Sequence, residues 1–264
     1  MSEHIQILRQ GDLAEVRLNR PDKRNALSFA MLGDLIDAAQ SLSKDKDLRA
    51  VLLTGEGECF SAGIDLGDLR DKKKALRAAW ELAQPTANLF QRAFLCFRDL
   101  PVPVIAAIHG HCLGAGLQLA LAADFRIARP DAQLAIMEAK WGLVPDMGAS
   151  VTLRGLLGAD TMRELMMTAR LVTGEKAKEI GLISHVDVDP RGRALALVDE
   201  LRERSPDAVA AAKRLCNAIE TQGPATTLGL ERRLQTRLLL GKNFAIAGKR
   251  AKSPELAWKP RSLG

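Results

Sequence analysis

The chain has 264 residues, enough to bury a sizeable core as one large domain or two small ones. Its 47% hydrophobic and 27% charged residues exclude disorder as the main state; the absence of Tyr excludes a tyrosine acid or nucleophile, and 4% aromatics argues against base stacking. The net charge of +6 gathers at the end, where from Arg232 onward nine basic residues face the single acid Glu255. Such a tail implies an anionic partner (nucleic acid, a membrane surface or a phosphate-bearing small molecule) or is merely solvated.

In chain order, the first segment, MSEHIQILRQGDLAEV, is charged from its third residue and lacks the apolar run of a signal peptide. Apolar alternation over residues 5–8 and 14–19 around Gly11-Asp12 predicts a hairpin. A polar turn over 20–25 follows, and Ser28 is placed to cap a helix carrying Leu32, Leu35, Ile36, Ala39 and Leu42. A buried strand is predicted over 50–54, broken by Gly55-Glu56-Gly57, then helix over 71–97 with Pro85 as a kink or boundary. A second buried strand over 102–108 runs into a glycine-rich turn and a helix over 117–123. Short strands are expected at 125–128, 133–137 and 183–188, and helices over 206–219 and 225–240. The expectation is α/β in front and helical behind. Residues 100–123 carry no formal charge over 24 positions, but Pro101, Pro103, His109, His111, Gln118 and three glycines favour a strand and a helix over a membrane span. The four cysteines, Cys59, Cys96, Cys112 and Cys216, have no paired spacing and read as reduced thiols in a cytoplasmic protein.

Two turns could carry chemistry. Residues 60–66 (FSAGIDL) follow the first buried strand, and residues 109–116 (HGHCLGAG) follow the second and open a helix. Small residues at such a turn let a ligand oxygen reach unpaired backbone N–H groups, and two turns side by side would form a two-donor oxyanion hole. Each turn alone is better explained by tight strand-to-helix packing. Gly114-Ala115-Gly116 is a partial dinucleotide fingerprint whose third glycine position holds Leu119, a weak match. His109 and His111 lack a third metal ligand, so no metal site is expected. Trp80, Phe90, Phe94 and Phe97 read as core or as an acyl pocket.

The segments LNRPDKRNALS (18–28), FSAGIDL (60–66), GHCLGAGLQLALAAD (110–124) and MEAKWGLVPDMG (137–148) together resemble the crotonase (enoyl-CoA hydratase/isomerase) superfamily. The resemblance implies a crotonase-like spiral of ββα units over residues 1–200 and a C-terminal helical assembly region over 201–264. It further implies an acyl-CoA thioester as ligand, a homotrimer or homohexamer, and no cofactor beyond the coenzyme A of the substrate. By position, the backbone N–H groups of Ile64 and Ala115 match the oxyanion donors. Lys23, Arg24, Ala62, Asp65 and Leu66 fall at the CoA-binding positions, with Asp65 bracing its loop. Glu138 matches one acid/base glutamate of the family's hydratases, but the other position holds Gln118, an amide that exchanges no proton near neutral pH. Asp146, eight residues past Glu138, gives a Glu/Asp spacing similar to that of the dienoyl-CoA isomerases, which carry Asp where this chain has Gln118. Asp146 reads equally as a helix cap. The expected activity is double-bond isomerisation or hydration of an enoyl-CoA. A non-catalytic CoA-binding scaffold, suggested by Gln118, and a nucleic-acid-binding protein using the basic tail are the alternatives.

Overall fold

The computed structural model describes residues 3–263. It opens with strands β1 (Ile5–Gln10) and β2 (Leu13–Leu18), a 3-10 turn (Pro21–Lys23), helix α1 (Phe29–Lys44) and strand β3 (Ala50–Gly55). Helices α2 (Leu66–Arg70), α3 (Lys72–Leu82) and α4 (Leu89–Arg98) lead to β4 (Val104–Ile108), β5 (His111–Leu113) and α5 (Ala115–Leu121). Next come β6 (Phe125–Ala128), β7 (Gln133–Ala135), a second 3-10 turn (Glu138–Trp141), α6 (Ala149–Thr152) and α7 (Ala159–Thr168). The chain continues through β8 (Val172–Thr173), α8 (Gly174–Glu179), β9 (His185–Val186) and α9 (Pro190–Arg202). It closes with α10 (Pro206–Thr221), α11 (Pro224–Leu239) and α12 (Lys242–Arg250).

A six-stranded sheet of order β1-β2-β3-β4-β6-β9 is parallel except for the β1–β2 hairpin, whose Gln10↔Leu13 register closes the predicted Gly11-Asp12 turn with Gly11 at φ +62°. Alternation sorts the strands between two cores. Val51 and Leu53 pack into the main core with α1, α4 and α5, while Ala50 and Leu52 meet Ala194, Leu197 and Val198 of α9 on the opposite face. Helix α1 forms where expected: the Ser28 hydroxyl accepts from Met31 N at 3.3 Å, and Leu32, Leu35, Ala39 and Leu42 are buried. The helix expected over 71–97 is two helices, because Pro85 cannot continue α3 and Asn88 starts α4 with a capping box through Gln91. Phe90, Phe94 and Phe97 are core, Phe90 edge-on to Phe29 at 5.2 Å, whereas Trp80 is 62% exposed.

A second sheet of order β5-β7-β8 was read in the sequence only at β7, inside the strand expected over 133–137; β5 and β8, of three and two residues, show no period. It joins the two glycine turns. Ser61 bridges Cys112 and Leu27 bridges Ile64 in parallel, and Ser61 and Leu113 exchange backbone bonds with this layer (Ser61 N to His111 O at 2.9 Å, Leu113 N to Ser61 O at 3.0 Å). Residues 100–123 resolve into β4, β5 and α5, and no helix among the described residues is long and apolar enough to cross a membrane. Helices α10 and α11 share a separate small core that includes Ala211, Leu230, Leu234 and Leu263. All four cysteines are free thiols.

Candidate active site

Each turn leaves one backbone donor open. Ile64 pairs with Leu27 only through its neighbours, Gly63 O accepting from Leu27 N and Asp65 N donating to Leu27 O, so no hydrogen bond among the described residues uses Ile64 N–H. Ala115 is the first residue of α5, where no earlier turn exists to accept its N–H. The turns touch here: a Cβ on Gly63 would lie 3.0 Å from Leu113 O and 3.8 Å from Ala115 N. Gly63 (φ +105°) and Gly114 (φ +49°) both adopt backbone that disfavours a side chain. Gly116 supplies the third condition, since a Cβ there would stand 2.6 Å from Ser61 Cβ.

Beside these donors, Glu138 is 9% exposed. Its Oε1 accepts from Gln118 Nε2 at 2.7 Å, and Gln118 Oε1 accepts from Met147 N at 3.0 Å, so the amide spans from the carboxylate to the backbone next to Asp146. Oε2 of Glu138 is buried without a hydrogen-bond partner. Oε1 would come within 3.5 Å of a Cβ on Gly114, which puts the carboxylate against the second glycine turn. Burial pushes the Glu138 carboxyl above its ordinary range, outweighing the Gln118 hydrogen bond, and the Asp146 charge adds to the push. Burial likewise raises Asp146.

Asp146 is not a cap. Helix α6 begins after Gly148 in the left-handed region, with no side chain bonded to its first turn. The sequence could not show that this helix starts too late for Asp146 to reach. The Asp146 carboxylate is close enough for its charge to act on Glu138.

The remaining positions gather at the same edge. Lys23 and Arg24 are exposed, and Arg24 O accepts from Ala62 N at 2.9 Å, joining the basic turn to the Ala62–Leu66 loop. Asp65 braces that loop: Oδ2 accepts from Arg20 Nη1 at 2.6 Å and Oδ1 from Gly67 N at 2.8 Å, at the start of α2 and its first residue Leu66. Burial raises Asp65, but the Arg20 hydrogen bond and the Gly67 N–H outweigh it and hold it below the usual carboxylate range. Sequence reading missed Asn25 and Ser61. Asn25 is fully buried at φ +54°; its amide donates to Glu56 O and Cys59 O, both at 2.8 Å, and its Oδ1 accepts from Arg20 N at 2.9 Å. Ser61 Oγ donates to Asn25 O at 2.8 Å and accepts from Gly63 N at 3.2 Å. An Asn in a polar turn after Pro was the available signal, because Asn tolerates positive φ and bonds nearby backbone. His109 bonds Gly57 O at 2.9 Å and His111 is exposed; no metal-ligating cluster occurs among the described residues.

Residues 9–248 match the family model described as enoyl-CoA hydratase/isomerase. The chain is 37% identical over 222 residues to the mitochondrial Δ(3,5)-Δ(2,4)-dienoyl-CoA isomerase of Mus musculus, covering 80% of this chain and 68% of that protein. Among solved structures, an enoyl-CoA hydratase from Bacillus anthracis aligns with a TM-score of 0.87 at 28% identity over 98% of both chains. A Thermobifida fusca protein in complex with acetoacetyl-CoA aligns with a TM-score of 0.80 at 32% identity, covering 90% of this chain and 95% of that one.

Proposed function

The chain belongs to the enoyl-CoA hydratase/isomerase family and has its fold, and from that premise we propose that it isomerises a double bond in an enoyl-CoA through an enolate intermediate. The thioester oxygen accepts hydrogen bonds from Ile64 N–H and Ala115 N–H. Glu138 Oε2 removes a proton from an acyl carbon, and the electron pair of the broken C–H bond moves into the conjugated system, placing the charge on that oxygen. A proton then returns to a carbon further along the chain from the carboxylic acid of Asp146 or Glu138. Losing one such N–H donor typically costs ~10²–10³ in rate. Oxidation state is unchanged throughout, so the reaction calls for no redox group, and coenzyme A enters as part of the substrate.

The observation that carries this reading is the division of labour on Glu138. Gln118 holds Oε1, which leaves Oε2 buried, basic and unpaired. Gln118 is committed at both ends, so it serves as a positioning residue. That argues against water addition by two carboxylates and against a scaffold without catalysis, since the base remains poised. The mouse relative is a dienoyl-CoA isomerase; by the resemblance drawn from the sequence, Gln118 replaces a third carboxylate. Lys23 and Arg24 are assigned to the CoA phosphates, and the backbone of Ala62, Asp65 and Leu66 to the adenine. An acyl-CoA satisfies the anionic-partner expectation without nucleic acid.

Incubation with 2-enoyl-, 3-enoyl- and dienoyl-CoA, followed by mass and ultraviolet absorbance, tests the reading. A product of unchanged mass with a shifted conjugation band is expected. Addition of one water as the dominant event, or no turnover of any of the three, would refute it.

A further inference from the structure

Between α10 and the entry ends of β4 and β6 lies a cavity of about 440 Å³, at the far end of α5 from Ala115 and lined by none of Gln118, Glu138 or Asp146. Leu121, Phe125, Leu156, Val209 and Ala212 give it an apolar wall. Five charged side chains also line it, and four of them pair: Arg98 with Glu220 at 2.8 Å and Lys213 with Asp124 at 2.7 Å.

The fifth is Arg126, 6% exposed and in no ion pair among the described residues. Its Nε and Nη1 donate to the backbone carbonyls of Leu182 at 3.1 Å and Ala123 at 2.7 Å. Burial lowers its pKa to about 10, which leaves it charged at neutral pH. The charges of Asp124 and Glu220 reach it, but each of those carboxylates is paired with another cation, and a buried guanidinium without an ion pair of its own is costly, because carbonyl dipoles only partly replace lost hydration. Thr152 lines the same cavity, and its buried Oγ1 also lacks a partner. One buried cation in excess of the two ion pairs, an orphan hydroxyl and an apolar wall around a volume typical of small-ligand sites describe one kind of guest.

We propose that this cavity is a second ligand site, distinct from the acyl-CoA site, that binds a monocarboxylate with a medium-length apolar chain. The carboxylate takes a charge-assisted hydrogen bond from Arg126 and a second from the Thr152 hydroxyl. The chain lies along Leu121, Leu156, Val209 and Ala212. The inference does not depend on the reaction assigned above.

Octanoate is the probe, titrated calorimetrically into the full chain, with alkylation of Cys216 as a second readout. Cys216 is exposed and lines this cavity, while Cys59 and Cys112 are buried. Saturable binding of octanoate at one site per chain is expected, with slowed alkylation of Cys216 and no change in affinity under saturating coenzyme A. Octanol, which lacks the charge, should bind about tenfold more weakly. Thr152→Val should weaken octanoate severalfold, and Ala212→Phe, which fills the cavity while keeping the Arg126 side chain, should abolish binding while leaving the acyl-CoA reaction intact. The proposal fails if octanoate does not saturate, if octanol binds equally well, or if coenzyme A displaces octanoate. It also fails if Ala212→Phe dissociates an oligomer, which would give the cavity to a second copy of the chain.

Discussion

Glu15 and Glu138 are both buried carboxylates, and their surroundings give them opposite chemistry. Burial raises Glu15, but hydrogen bonds from Arg191, Arg17 and Thr54 together outweigh it and hold it below the ordinary range. Its stabilising contribution is present above the unfolded pKa and lost as pH falls through the folded value. Glu138 and Asp146 are shifted upward, so their protonated forms suit the fold better, and their burial costs stability as pH rises from the unfolded toward the folded values. The rate should therefore rise with pH as Glu138 ionises, with a midpoint above the ordinary glutamate range. Asp146→Asn should move that midpoint down by removing a like charge and should slow isomerisation. It should not lower the melting temperature at neutral pH, since no helix start depends on Asp146. A loss near 1 kcal/mol with full activity would instead mark a lost cap. Residue identities at this scale were legible in the sequence, but the partners were not. Glu138 could be singled out by its motif, yet nothing in the order of residues says that one of its oxygens is tied to Gln118 and the other is free.

Secondary elements act here mainly by bringing two turns together. The buried strands β3 and β4 were legible as apolar runs, and the glycines after them as turns, because composition alone carries both signals. The layer of β5, β7 and β8 was legible only at β7, because its other strands are specified by pairing across the chain. The contact on which the proposed oxyanion geometry rests is the first turn of α5 against Ser61, which requires Gly116 to lack a Cβ. Gly116→Ala should cost ~1–3 kcal/mol by overpacking. Because the strain pushes Ala115 away from Ile64, kcat/KM should fall further than the modest stability loss explains. Urea denaturation alongside steady-state kinetics would check this; an alanine variant with wild-type kcat/KM would show that the two donors do not depend on this contact.

At the scale of the whole molecule, the chain after residue 206 is helical, as expected from the sequence, with α10 and α11 sharing their own small core, and the excess positive charge lies from Arg232 onward. Ile219, Leu228, Leu239 and Phe244 on α10 to α12, and Leu240 at the end of α11, are large and exposed. The trimer or hexamer implied by the resemblance would cover them, and light scattering should report such an assembly over a wide concentration range. A persistent monomer would contradict it. Assembly, cavity and basic tail could all vary without touching the central claim, which is that Glu138 moves the proton while Ile64 and Ala115 hold the oxyanion. Solvent-deuterium exchange into the acyl carbons of bound acyl-CoA, compared between the native chain and Glu138→Gln, tests it most directly. Gln keeps the shape and its bond to Gln118 but cannot accept a proton, so ground-state binding survives while the transition state does not. Exchange should vanish with CoA affinity nearly unchanged; undiminished exchange in Glu138→Gln would contradict the mechanism.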